Sequence, residues 1–199
     1  MTDVAAILSS CKAMLTGHFL LSSGKHSSQY FQCARLLQHP EKAAEVVATV
    51  ADRIKADVKA GKLAVDSVIG PAMGGIVVAY ELGRQLGTPA FFTERNDEGV
   101  MALRRGFEIQ PGEKIIIAED VVTTGKSTLE TAEQIQAMGG VVVASICVVD
   151  RRPADAEEPF PWPLYAALRQ PAVLWDADAC ELCKEGKTPA VKPGSRKVF

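Results

Sequence analysis

At 199 residues, 47% hydrophobic and 23% charged, the chain has the composition of one soluble globular domain and not of a disordered segment. Lys plus Arg number 22 against 24 Asp plus Glu, a balance that offers no basic surface to nucleic acid or to a membrane. The stretch Met1-Thr2-Asp3-Val4-Ala5 has neither the basic region nor the long apolar core of a signal peptide, and the longest apolar runs are strand-sized, so a cytoplasmic location is expected.

Helical periodicity opens the chain, with Val4, Ile7, Leu8, Cys11 and Leu15 on one face. Residues 17–33 then read as short strands around a Ser/Gly turn, a β-hairpin in which Tyr30 and Phe31 serve either as core or as a platform for a flat ring. Residues 40–60 form an amphipathic helix, with Pro40 at its start and Gly61 past its end. A strand over 63–69 leads into Gly70-Pro71-Ala72-Met73-Gly74-Gly75 and a helix over 76–86. The glycines there allow a ligand close to the backbone. After a strand at 89–93 comes a long excursion, 94–107, carrying Arg95, Arg104 and Arg105. It reads either as a lid or as a solvated hairpin, and arginine forks of this kind suit a pyrophosphate.

Residues 114–128 read K-I-I-I-A-E-D-V-V-T-T-G-K-S-T. Ile115 to Ala118 have the unbroken apolar character of a strand buried on both faces of a parallel sheet. Two acids, Glu119 and Asp120, stand at its carboxyl end. A loop of small and hydroxylated residues follows, then a helical pattern through Leu129, Ala132, Ile135 and Met138 that Gly139-Gly140 stops. Ligands of open α/β sheets collect outside the carboxyl ends of strands, and backbone N–H groups at a helix start favour phosphate. The carboxylates would repel that phosphate, so they are expected to face sugar hydroxyls or magnesium. A ribose 5-phosphate meets both demands. Gly125-Lys126-Ser127 also matches the tail of a Walker A loop, but that motif's leading glycine would fall on Asp120.

Residues 140–149 form the next strand and end at Asp150-Arg151-Arg152-Pro153, on the same sheet edge as the acids. Arg151 or Arg152 is placed to pair with a substrate carboxylate, or else with Asp150 or Asp155 at the surface. An irregular linker (159–163), a short strand (164–168) and a loosely ordered tail from Asp176 complete the chain. The five cysteines, Cys11, Cys33, Cys147, Cys180 and Cys183, are an odd number without regular spacing, which argues against a disulfide framework. Cys180-x-x-Cys183 lacks the second ligand pair that a structural zinc requires, so its thiols are read as incidental, with a metal or redox role as the alternatives.

The stretch at 115–127 resembles the PRPP (5-phosphoribosyl-1-pyrophosphate) motif of the type I phosphoribosyltransferases. The resemblance implies an α/β fold, a mostly parallel central sheet flanked by helices with a small N-terminal hood. The hood would come from residues 1–35, the core from 36–175 and the tail from 176–199. It further implies that Glu119 and Asp120 bind the ribose hydroxyls, and that Val121, Val122, Thr123, Thr124, Gly125, Lys126, Ser127 and Thr128 hold the 5-phosphate.

Four further segments resemble the orotate phosphoribosyltransferase family. These are G-H-F-x-L-x-S-G-x-x-S-x-x-Y from Gly17 to Tyr30, G-P-A-M-G-G-I, V-V-D-R-R, and the ending Cys180-x-x-Cys183 followed by Val191-Lys192-Pro193-Gly194-Ser195-Arg196. This resemblance implies transfer of phosphoribose from PRPP to N1 of orotate, with magnesium arriving on PRPP. Thr123 and Arg151 would bind orotate, with Tyr30 and Phe31 beside its ring. Arg95 would act catalytically with Glu119 and Asp120, reaching the pyrophosphate of the neighbouring subunit in a homodimer, with Arg104 and Arg105 in support. Many members of the family have lysine at the positions of Met73 and Ser22, so the pyrophosphate contacts fall more heavily on the loop arginines and magnesium. A purine phosphoribosyltransferase and a non-catalytic PRPP-binding regulator remain the alternatives.

Overall fold

A computed structural model describes residues 2–21 and 23–192. The chain starts with α1 (Val4–Ser10), capped by the Asp3 carboxylate. The helix is shorter than its periodicity suggests. Lys12 turns the backbone at φ 54°, and Met14 and Leu15 are drawn into β1 (Met14–Leu20), which pairs antiparallel with β2 (His26–Phe31). After the single turn α2 (Ala34–Leu37) comes α3 (Pro40–Lys59). Its Ala43, Val46, Val47, Val50 and Ile54 recur at three- and four-residue spacing and are all buried.

The sheet that carries the site follows as β3 (Ser67–Pro71), α4 (Gly74–Leu86), β4 (Ala90–Arg95), β5 (Met101–Leu103), β6 (Lys114–Val122), α5 (Lys126–Ala137), β7 (Val141–Asp150) and β8 (Leu164–Arg169). Its strand order is β5-β4-β3-β6-β7-β8, parallel throughout except for β5 at one edge. Strand β6 lies in the middle, and its pleat divides the core. Ile116 and Ala118 pack with α3 and α4, while Ile115 and Ile117 pack with Ala132 and Ile135 of α5. Burial on both faces accounts for the unbroken apolar run.

Two expectations need correction. The third strand begins at Ser67 rather than residue 63 and runs through Gly70 and Pro71, because Pro71 stands opposite Thr93 and the next amide, Ala72 N, donates to Thr93 O. Residues 94–107 carry a hairpin, with Arg95 opposite Met101 and Met101 buried. Finally, the hood is not built from residues 1–35 alone. Strand β9 (Leu174–Trp175) adds to β2, α6 (Glu181–Glu185) follows, and Val191 exchanges backbone hydrogen bonds with His18 and Leu20. The tail therefore packs on the hood rather than lying loose over its described residues. Ser22 and the Pro193-Gly194-Ser195-Arg196 ending lie outside the described residues.

Candidate active site

The carboxyl ends of β3, β6 and β7 lie side by side and furnish one site. Past β6 the chain runs through Thr123 and Thr124 to Gly125, at φ 77° and ψ 7°, and enters α5. The left-handed conformation suits glycine. Crowding reinforces it, since a Cβ there would stand 2.8 Å from the Phe160 ring. Phe160 is buried and stacked on Trp162, so an aromatic pair from the irregular linker shapes this turn. Nothing in the linker's spacing marks that role.

Glu119 and Val121 to Thr128 enclose a cavity of about 80 Å³. Gly125 has no side chain to cap α5, and Lys126 N has only a 3.4 Å contact with Thr124 Oγ1. The first helical turn thus presents N–H groups and the positive end of its dipole to the cavity, as an anion requires.

The two acids stand beside this anion cradle. Glu119 is half-buried, and its Oε2 is buried without a hydrogen-bond partner. Burial first, then the charge of Asp120, pushes its carboxyl up to about 9. A group in that state gains most from hydroxyl donors or a nearby cation. Asp120 is held differently. Its Oδ1 accepts from Val121 N at 2.8 Å, and its Oδ2 fills the space above Gly74, where a Cβ would come within 2.3 Å. The Ala72–Met73 peptide just before α4 is cis. Below the acids Cys33 Sγ lies 3.9 Å from Asp120 O, its thiol pushed well up by burial and by both carboxylates.

Across from them, the structure separates two arginines that are equivalent by position. Arg152 donates to both oxygens of Asp150, at 3.0 and 2.9 Å, and to Glu158 at 2.9 Å. Arg169 adds a further contact to Asp150. Burial alone would raise the Asp150 carboxyl, but these guanidinium bonds bring it below its ordinary value.

Arg151 has no carboxylate partner among the described residues. It is 6% exposed, its Nε is buried without a partner, and burial lowers its pKa. Its guanidinium lies 4.9 Å over the Phe31 ring, with one N–H directed at Gln29 O, 3.4 Å away. The bond from Arg151 N to Val122 O, 2.8 Å, sets it beside exposed Thr123.

Phe31 and Tyr30 are parted by strand alternation. Phe31 supports Arg151, whereas Tyr30 packs against Phe19 with its hydroxyl donating to Gln32. Arg95 ends β4, bonded to Gly99 O and ion-paired with Glu130 of α5, which also faces Lys126. Arg105 forks onto Glu94 at 2.9 and 3.0 Å, with Arg104 alongside. Met73 points outward, 82% exposed.

Comparison with known proteins agrees with this geometry. The phosphoribosyl transferase domain matches residues 33–163. An orotate phosphoribosyltransferase of Heliobacterium modesticaldum is 48% identical over 98% of this chain and 97% of its own. The crystal structure of orotate phosphoribosyltransferase from Aeropyrum pernix superposes with a TM-score of 0.66 at 25% identity, covering 83% of this chain and 93% of that one. An adenine phosphoribosyltransferase from Thermoanaerobacter pseudethanolicus shares the fold alone, with a TM-score of 0.57 at 13% identity over 71% of this chain and 88% of its own.

Proposed function

The chain belongs to the phosphoribosyl transferase family, and from that premise we propose that it is an orotate phosphoribosyltransferase of pyrimidine nucleotide biosynthesis. It transfers phosphoribose from PRPP to N1 of orotate, giving orotidine 5-monophosphate and pyrophosphate. The observation that carries the choice of base is Arg151, a buried guanidinium with an unspent N–H, beside the ribose site and lacking an acid of its own. Such a group is costly to bury unless the ligand brings the missing carboxylate. Orotate has one and a purine base does not.

In this reading Glu119 and Asp120 accept hydrogen bonds from the ribose 2- and 3-hydroxyls, and the N–H groups of 124–128 hold the 5-phosphate. Arg151 and Thr123 orient orotate so that N1 faces C1 of the sugar. Phe31 borders the base from beneath Arg151, whereas Tyr30, on the other face of the strand, reaches it only if its ring leaves Phe19. Charge develops on an oxocarbenium-like C1 and on the departing pyrophosphate, so catalysis rests on positioning and fixed dipoles.

Magnesium fits this site. Glu119 carries an unpartnered oxygen, and burial and the charge of Asp120 push its carboxyl up, a penalty that a neighbouring cation relieves. Glu119 and Asp120 would hold the ion jointly with PRPP, and when bound it neutralises charge on the leaving pyrophosphate.

We assign the pyrophosphate to Arg95, aided by Arg104 and Arg105, and place those arginines on the neighbouring subunit of a homodimer. Exposed apolar side chains at Met73 just before α4, at Val77 and Tyr80 on α4 and at Val100 in the hairpin support that interface. A cytoplasmic location accords with five thiols that form no disulfide.

The test is direct. Pure protein mixed with PRPP, magnesium and orotate should consume orotate, followed by the fall in its absorbance. No fall at any protein concentration would leave a PRPP-binding regulator as the better reading.

A further inference from the structure

The hood brings together four metal-ligating side chains that no step of the reaction employs. His18 comes from β1, His26 from β2, and Cys180 and Cys183 from the first turn of α6. Their ligand atoms all lie within 4.8 Å of one another. Cys180 Sγ is 3.5 Å and Cys183 Sγ 3.6 Å from His18 Nε2, Cys183 Sγ is 3.3 Å from His26 Nδ1, and the two ring nitrogens are 2.8 Å apart. A tetrahedral zinc ion, with bonds of about 2.0–2.1 Å to nitrogen and 2.3 Å to sulfur, demands edges of roughly 3.3–3.8 Å. The three N–S edges just given already meet this, the N–N edge needs about half an ångström of opening, and the remaining pairs lie within 4.8 Å.

Hydrogen bonding does not account for the convergence. His18 Nδ1 lies 2.9 Å from Thr188 O, and an N–H donated there leaves Nε2 with a single lone pair. His26 Nδ1, Cys180 Sγ and Cys183 Sγ all crowd that one lone pair. It can satisfy one donor, whereas a dication accepts all four ligands. Two thiolates would also neutralise its charge in a place where His18, His26 and Cys180 are all buried.

We propose that His18, His26, Cys180 and Cys183 form a Cys2His2 structural zinc site that fastens the C-terminal segment to the hood. Four protein ligands close the coordination sphere, which suits a structural ion and leaves no position for substrate. The site also accounts for α6, a five-residue helix that buries none of its own residues and is too short to persist unaided. Read as sequence, Cys180-x-x-Cys183 was two ligands short. The fold supplies them across a separation of 162 residues from His18 to Cys180.

The experiment uses the full chain, purified under reducing conditions. Elemental analysis should find close to one zinc per chain. After chelation and addition of cobalt(II), thiolate-to-cobalt charge-transfer bands and strong tetrahedral d–d bands should appear. The Cys180→Ser/Cys183→Ser variant should hold at least about tenfold less zinc. Should that variant not fold, alkylation of the wild-type chain decides. Zinc should slow labelling of Cys180 and Cys183 at least about tenfold and leave the other three thiols unchanged. Absence of zinc together with no cobalt spectrum, full zinc in the double variant, or equal labelling with and without zinc would overturn the proposal. None of these readouts depends on orotate turnover.

Discussion

The ribose site and the hood cluster are built on opposite plans. The first is local and open. Residues 119–128 are contiguous, and the site retains unspent bonding capacity at Glu119 Oε2 and Arg151 Nε. The second is dispersed and closed, with four side chains from three segments aimed at one another, all but Cys183 buried. An enzyme site must stay incomplete until its substrate arrives, whereas a fastening takes only its ion and leaves substrate no place. Damage to the open site should therefore cost activity with little loss of fold, and damage to the closed one the reverse.

The sharpest way to break that contrast is Arg151→Ala. Orotate kcat/KM should fall by about 10³-fold or more, because the carboxylate loses its charged partner, while PRPP binding and Tm change little. Equal loss of PRPP affinity, measured by calorimetry, would mean that Arg151 serves the fold or the donor.

Arg95→Ala comes next, with turnover lower by about two to three orders of magnitude. A change below about twofold would confine Arg95 to its observed ion pair with Glu130. Mixing inactive Arg95→Ala chains with inactive Asp120→Asn chains should restore part of the activity if Arg95 acts on the neighbouring subunit.

Gly74→Ala probes the fit between the two strand-end loops. The added Cβ would fall 2.3 Å from Asp120 Oδ2 and displace the carboxylate, so KM for PRPP should rise by about tenfold.

The smallest effect concerns pH. The Glu119 carboxyl is raised from 4.5 to about 9, so the folded protein binds the extra proton between those values. Its contribution to stability is full below pH 4.5 and is lost as pH rises through 9. In differential scanning calorimetry the ligand-free wild type should therefore lose Tm relative to Glu119→Gln as pH rises from neutral toward 9. A constant difference would show Glu119 already ionised, with its capacity spent.

What was legible in sequence follows the same division. The β6–α5 stretch could be read because a strand end, a left-handed glycine and a helix start are short-range structures that create their own chemistry. The parallel sheet was legible for a related reason: Ile115 to Ala118 are buried on both faces and leave no polar alternation. Position alone left Arg151 and Arg152 alike and only the family resemblance chose between them, since the approach of Asp150, Glu158 and Arg169 decides which guanidinium is occupied. The same holds for Phe160 under Gly125, which no local pattern announces. The hairpin at 94–107 was ambiguous because the burial of Met101 that pins it is a tertiary event. His18 and His26 passed unremarked, since neither is a ligand until the tail folds back onto β1.

The central claim is that one ligand spans the acids, the N–H cradle and Arg151. A crystal structure of the protein with orotidine 5-monophosphate tests it most directly. The ribose hydroxyls should lie on Glu119 and Asp120, the phosphate on the amides of 124–128, and the base carboxylate on Arg151. A nucleotide bound elsewhere, or one whose carboxylate turns away from Arg151 toward solvent, would contradict the account.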